Sequence, residues 1–105
     1  MSLTRLCALA DLGPDKITRV EVEGRSPVAL ALADGGAVAF DDTCPHADES
    51  LSQGWVEDGR IVCAVHFAEF EIGSGKAHNA PIGCGRLRFY PTEIRDGAVH
   101  ADLAD

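Results

Sequence analysis

Short apolar stretches alternate with polar ones along the chain, and turn signals separate them. Ile17–Glu23 reads I-T-R-V-E-V-E and ends in apolar/acidic alternation, which predicts a strand with one wet face. Val28–Ala33 is an unbroken apolar run that enters Asp34-Gly35-Gly36 and returns as Ala37–Phe40, a predicted hairpin. Three more hairpins follow the same logic. Trp55–Glu57 and Arg60–Cys63 flank Asp58-Gly59; Glu69–Ile72 and Lys76–His78 flank Gly73-Ser74-Gly75; Leu87–Ile94 and Ala98–Leu103 flank Asp96-Gly97. Pro91 lacks an N–H inside the first arm of the last pair, so a bulge or sheet edge is expected there. Asp48–Gln53 has room for one helical turn. Many short strands joined by tight turns predict an all-β fold, a barrel or stacked antiparallel sheets.

The regularity breaks once, between Asp41 and Gly54. Long ordered connections in compact domains usually carry function. With 105 residues the chain suits one domain spanning 1–105, whose core is thin enough for a bound metal centre to add visibly to stability. No apolar run approaches the roughly 20 residues needed to cross a bilayer, and no basic-then-apolar leader opens the sequence. A cytoplasmic protein is therefore expected, without membrane attachment. The formal charge of −8 argues against nucleic-acid binding, which draws most of its affinity from basic residues, and suits a partner with a basic face.

Four cysteines could mean disulfides, but in a reducing compartment thiols or metal ligands are the better reading. Two of them, Cys44 and Cys63, stand beside histidines; Cys7 and Cys84 do not. The pattern is Cys44-Pro45-His46, sixteen residues, then Cys63-Ala64-Val65-His66. Two soft sulfurs and two ring nitrogens suit tetrahedral zinc or an iron–sulfur cluster. Structural zinc usually takes ligands separated by two or more residues, whereas one residue separates Cys44 from His46. In extended backbone that sets the two Cα atoms roughly 6–7 Å apart, a comfortable span for ligands of two different metal atoms. A two-iron cluster held by both cysteines on one iron and both histidines on the other meets this geometry. A zinc-stabilised interaction module stays open as the alternative.

These residues resemble the Rieske family: Cys-x-His, a spacer of this length, then Cys-x-x-His. The likeness extends through Ser50-Leu51-Ser52, Gly54, His66-Phe67, Gly75-Lys76 and Pro81, and runs from Phe40 to Asp102. It implies a Rieske-type antiparallel β-sandwich or barrel with a cluster-binding part at about residues 42–82, made by two ligand loops and a covering proline loop. It implies one [2Fe-2S] cluster per chain, ligated by Cys44, His46, Cys63 and His66. The branch most similar is the stand-alone ferredoxin of bacterial aromatic-ring-hydroxylating dioxygenase systems. The implied role is a monomeric, non-catalytic electron carrier between a flavoprotein ferredoxin reductase and a terminal Rieske non-haem iron oxygenase. A Rieske-like small subunit of a larger enzyme such as nitrite reductase is the second reading, although those subunits often lack the full ligand set.

Respiratory Rieske proteins add a disulfide between the loops and two hydroxyl donors after the second histidine. The corresponding positions are Glu49 and Val65, and Ala68 and Phe70, so neither feature is available. Fewer donors near the cluster predict a low potential, roughly −150 mV. Among the remaining residues, Cys7 is expected in the core, Trp55 in the core or else flanking a partner surface, Cys84 as an inert buried thiol, and His78 and His100 as ordinary strand or surface histidines. Phe67 and Phe70 are expected either to shield the cluster or to fill the core. Asp41, Asp42, Asp48 and Glu49 are read as solvated or as guiding a partner.

Overall fold

The computed structural model describes residues 3–33, 36–45, 49–64, 67–80 and 85–103. Their strands are β1 (Thr4–Ala8), β2 (Thr18–Val20), β3 (Val28–Ala33), β4 (Gly36–Asp41), β5 (Trp55–Glu57), β6 (Arg60–Val62), β7 (Glu69–Glu71), β8 (Ala77–His78), β9 (Phe89–Tyr90), β10 (Thr92–Arg95) and β11 (Ala98–Ala101), with 3₁₀ turns at Leu9–Asp11 and Leu51–Gln53. They assemble three sheets, ordered β1-β11-β10, β2-β3-β4-β9 and β5-β6-β7-β8, and every strand pair is antiparallel. The expected all-β architecture is present as stacked layers.

The apolar run of β3 explains the stacking. Val28 and Leu30 enter one core with Leu6, Tyr90 and Val99, while Ala29 and Ala31 enter another with Phe40, Ile61 and Phe70. β4 repeats the alternation, with Ala37 and Ala39 on the first side and Val38 and Phe40 on the second. Side chains of a strand alternate between faces, so a run that is apolar throughout must be buried on both. The β2-β3-β4-β9 sheet is accordingly the middle layer. The β1-β11-β10 sheet covers one face, and β5-β6-β7-β8 covers the other.

Three predicted hairpins sit where expected. The register of β3 with β4 runs from Val28↔Asp41 to Ala33↔Gly36. Asp58 and Asp96 both adopt positive φ (51° and 50°) ahead of a positive-φ glycine, the backbone of the two-residue turns that match strand twist. Two expectations need correction. The strand over Ile17–Glu23 shortens to β2, and Lys16 instead bridges to Trp55. The arm Leu87–Ile94 is two strands: β9 pairs with β4 in the middle sheet, and β10 pairs with β11 in the outer one. Pro91 lies between them, its missing donor costing nothing where the chain leaves one ladder for another. Its carbonyl accepts from Asp102 N at 2.9 Å, and Thr92 Oγ1 donates to Ala37 O at 2.9 Å, which ties the two sheets together.

A second tie is an aromatic ring held by cations. Tyr90 is 5% exposed and its hydroxyl donates to Asp41, while Arg25 Nη2 donates to that hydroxyl at 2.9 Å. Arg25 and Arg88 both lie over the ring, 5.1 and 4.8 Å from its centroid. Burial, then the bond to Asp41, pushes the Tyr90 phenol above its ordinary pKa.

The third sheet carries its own cross-strand contact. Glu71 accepts from His78 and, at 3.0 Å, from Ser74 Oγ. These bonds, His78 first, hold the Glu71 carboxyl below the usual glutamate range. A lowered folded-state pKa stabilises the fold above the ordinary glutamate value, and that contribution fades as pH falls through the lowered one. Glu71→Gln should therefore lower the melting temperature slightly at neutral pH, and the difference from wild type should close as pH falls through the lowered Glu71 value, flattening the acid limb of the profile.

Gly54 ends the Leu51–Gln53 turn against the strand that leads to Cys63. A Cβ there would stand 1.9 Å from Val62 O and 3.2 Å from Ala64 N. Because the obstacle is backbone, the strand would have to move. Gly54→Ala should lower unfolding free energy by about 3 kcal/mol, the upper end for overpacking, seen as an earlier midpoint in urea at unchanged slope.

Candidate metal centre

The irregular stretch from Asp41 to Gly54 is a short hairpin of its own. Leu51 N donates to Asp42 O at 2.6 Å, Thr43 bridges Ser50, and Cys44 N donates to Glu49 O at 2.9 Å. The β6–β7 hairpin ends alike: Val62 pairs with Glu69, and Cys63 N donates to Ala68 O at 2.8 Å. In each, the cysteine closes its loop with the carbonyl five residues on (44 to 49 and 63 to 68). The two cysteines thus occupy equivalent positions, each bonded through its N–H to the carbonyl five residues on.

Both thiols are buried, Cys44 at 3% exposure and Cys63 at 0%, and neither is in a disulfide. They belong to one core cluster with Phe40, Leu51, Phe70 and Leu87. Gly54 permits the first loop's exit to lie on the second loop's entry. Two soft donors set at matching hairpin ends in one apolar shell fit a metal–sulfur centre, whose cation offsets thiolate charge that the shell could not otherwise accommodate. The expected histidine ligands, His46 and His66, lie outside the described residues, as do Asp48, Val65, Pro81 and Cys84.

The approaches to the third loop are described on both sides of it. Asn79 Nδ2 donates to Phe67 O at 3.2 Å, which ties its start to the second ligand loop. After it, Leu87 N donates to Gly75 O at 2.9 Å. Gly75 has φ +73°, and a Cβ there would stand 1.9 Å from Leu87 O, so only glycine lets this segment return so closely. The Gly75-Lys76 portion of the motif thereby acquires a physical reason.

Several single-residue expectations change. Phe70 is 0% exposed and belongs to the core, but Phe67 is 57% exposed at φ +59° beside the position of His66. Trp55, expected in the core or beside a partner surface, is only partly buried. Its ring lies 6.2 Å from that of Phe67, and Nε1 donates to Glu57 Oε1 at 3.0 Å. It stands on β5, an edge strand of the third sheet. Cys7 is half-buried in β1 at the margin of the core, its thiol pushed up mainly by burial, so it stays protonated and unreactive. His100 lies half-buried in β11 with Nδ1 3.3 Å from Ala98 O.

Asp42, read from the sequence as solvated or as guiding a partner, is 3% exposed. Its Oδ2 accepts from Ser50 Oγ at 2.5 Å and its Oδ1 from Ser52 N at 3.0 Å, while Arg19 Nε lies 3.7 Å away. Asp42 lies eight residues ahead of Ser50, so no local pattern marked the contact in the sequence.

Comparison with known proteins agrees with this geometry. Residues 2–91 match the model of the Rieske [2Fe-2S] domain. The chain is 38% identical over 103 residues to the ferredoxin component of biphenyl 2,3-dioxygenase from Rhodococcus jostii (strain RHA1), covering 98% of this chain and 94% of that protein. Among solved structures it resembles the Sphingomonas yanoikuyae B1 ferredoxin with a TM-score of 0.87, at 28% identity over 98% of this chain and 100% of that one. It also resembles a chain in the complex of reduced oxygenase and oxidized ferredoxin of carbazole 1,9a-dioxygenase, with a TM-score of 0.81, 30% identity and 94% and 91% coverage. Matched along most of its length, and with its two buried thiols at equivalent hairpin ends, the chain belongs to the Rieske [2Fe-2S] domain family.

Proposed function

We propose that this protein is a one-electron carrier that takes electrons from a flavoprotein reductase and delivers them to a terminal aromatic-ring-hydroxylating oxygenase. The observation that carries the reading is the pair of matching loop closures at Cys44 and Cys63 in one buried cluster. In this reading the chain is a single domain, 1–105, with residues 42–82 forming its cluster-binding part. Cys44 and Cys63 would hold one iron as thiolates, and His46 and His66 the other as imidazoles. The cluster, one per chain, supplies a reversible one-electron couple when bound.

The surroundings bear on potential and partner. Ala68 and Phe70, both 0% exposed, bring no hydroxyl to the second loop. A buried apolar wall without donors favours the less negative, oxidised state and hence a low potential. The chain fills all four ligand positions, which leaves no open site for substrate, so the oxygen chemistry belongs to the partner. Phe67, exposed next to a ligand loop, offers an apolar contact at the edge where an electron would leave. The named relatives are ferredoxin components, and one solved neighbour is a complex with an oxygenase, which supports this role over a nitrite reductase subunit. No helix among the described residues is long and apolar enough to cross a membrane. A cytoplasmic monomer with reduced thiols goes with the reading.

Three measurements test it. The purified protein should be red-brown, with two irons and two labile sulfides per chain, and Cys44→Ser or His66→Ala should abolish the native visible and EPR signature. A colourless zinc protein, or an unchanged spectrum in either variant, would refute the ligand set. A redox titration should give a midpoint of roughly −150 mV, and a clearly positive value contradicts the low-potential reading. Finally, Phe67→Ala should slow reduction of the oxygenase by about tenfold at unchanged potential, as truncating an interface anchor does.

A further inference from the structure

The two ligand loops close in the same way but stand on different foundations. The second rises from a regular sheet, where β6 pairs with β7 over Arg60↔Glu71, Ile61↔Phe70 and Val62↔Glu69, and Arg60 Nη1 meets Glu69 Oε1 at 3.0 Å. Among the described residues the first rises from Asp42 with Leu51, Thr43 with Ser50 and Cys44 with Glu49, a short pairing outside the named strands and marginal by itself. One side chain makes up the difference. The Asp42 carboxylate spans the base of this loop, accepting from Ser50 Oγ at 2.5 Å with one oxygen and from Ser52 N at 3.0 Å with the other. Ser50 Oγ lies 2.5 Å from Ser52 Oγ and closes the ring of contacts. Asp42 itself is held by the middle sheet, its N donating to Pro27 O at 3.2 Å.

We propose that Asp42 is a positioning residue for the first ligand loop: its buried carboxylate substitutes for the strand ladder that the second loop possesses and sets where Cys44 stands. The proposal rests on the reading of Cys44 and His46 as ligands. Asp42 touches no reacting atom; it acts through Ser50 and Ser52, which explains why a Ser-Leu-Ser segment sits opposite it. Leu51, 0% exposed, fills the core between the two serines.

Substitution in the cluster-loaded protein tests this. Asp42→Ala removes both acceptors, and cluster release to an iron chelator should become at least about tenfold faster, with a broadened EPR signal as the loop samples several geometries. Asp42→Asn can keep the arrangement, with amide oxygen accepting from Ser52 N and amide nitrogen donating to Ser50 Oγ, so release should stay within about twofold of wild type. Ser50→Ala, which cuts only one arm, should speed release by about threefold and serves if Asp42→Ala fails to accumulate. Wild-type release in Asp42→Ala or Ser50→Ala overturns the proposal. So does an Asp42→Asn as leaky as Asp42→Ala, because charge rather than loop geometry would then be responsible. Cys44→Ala run in parallel keeps the two levels apart: a native cluster retained there sinks the ligand reading, whereas a cluster lost there alongside an indifferent Asp42→Ala sinks only the role of Asp42.

Discussion

Two thiols carried by separate hairpins have to meet in one water-excluded place, and that requirement organises this molecule. A thiolate in an apolar shell is costly unless a cation faces it, so the site is worth building only if both loops arrive together. Each loop therefore ends in the same backbone closure, the cysteine N–H bonded to the carbonyl five residues on. The two side chains then share one core cluster with Phe40, Phe70 and Leu87. Close backbone approach completes the arrangement, since Gly54 and Gly75 each occupy a spot where a Cβ would strike a carbonyl oxygen at 1.9 Å.

The layers behind the site serve the same end. The middle sheet is apolar on both faces, so it can anchor a covering sheet on one side and the loop-bearing sheet on the other. Pro91 passes the chain between layers at the point where the ladder has to be interrupted anyway. Arg25, Asp41, Arg88 and Tyr90 bind strand ends together at the foot of the first ligand loop, immediately before Asp42. Rigidity thus runs from the middle sheet to the loop base, which suits a carrier whose redox centre must change charge with little rearrangement.

Much of this was legible beforehand. Asp-Gly turns with alternating flanks located the β5–β6 hairpin and the turn joining β10 to β11, because such turns depend on local backbone preference. The Cys-x-His and Cys-x-x-His spacing singled out the two loops whose cysteines share one buried cluster, because ligand chemistry restricts residue type and separation. The sequence could not assign strands to sheets. Leu87–Ile94 looked continuous, and only the partners of β9 and β10 divide it. Burial of individual polar and aromatic residues was equally out of reach. Asp42 was read as wet or as guiding a partner and is enclosed; Trp55 was read as core or as flanking a partner surface and lies at an edge.

By itself, then, the sequence determined the all-β character and the turn positions, both of which follow from contacts within a few residues. The tertiary structure alone decided that β3 and β4 are buried on both faces, that Asp42 braces the first loop and that Phe67 stands in solvent. Those outcomes depend on which distant segment packs against each residue, and local patterning holds no record of that.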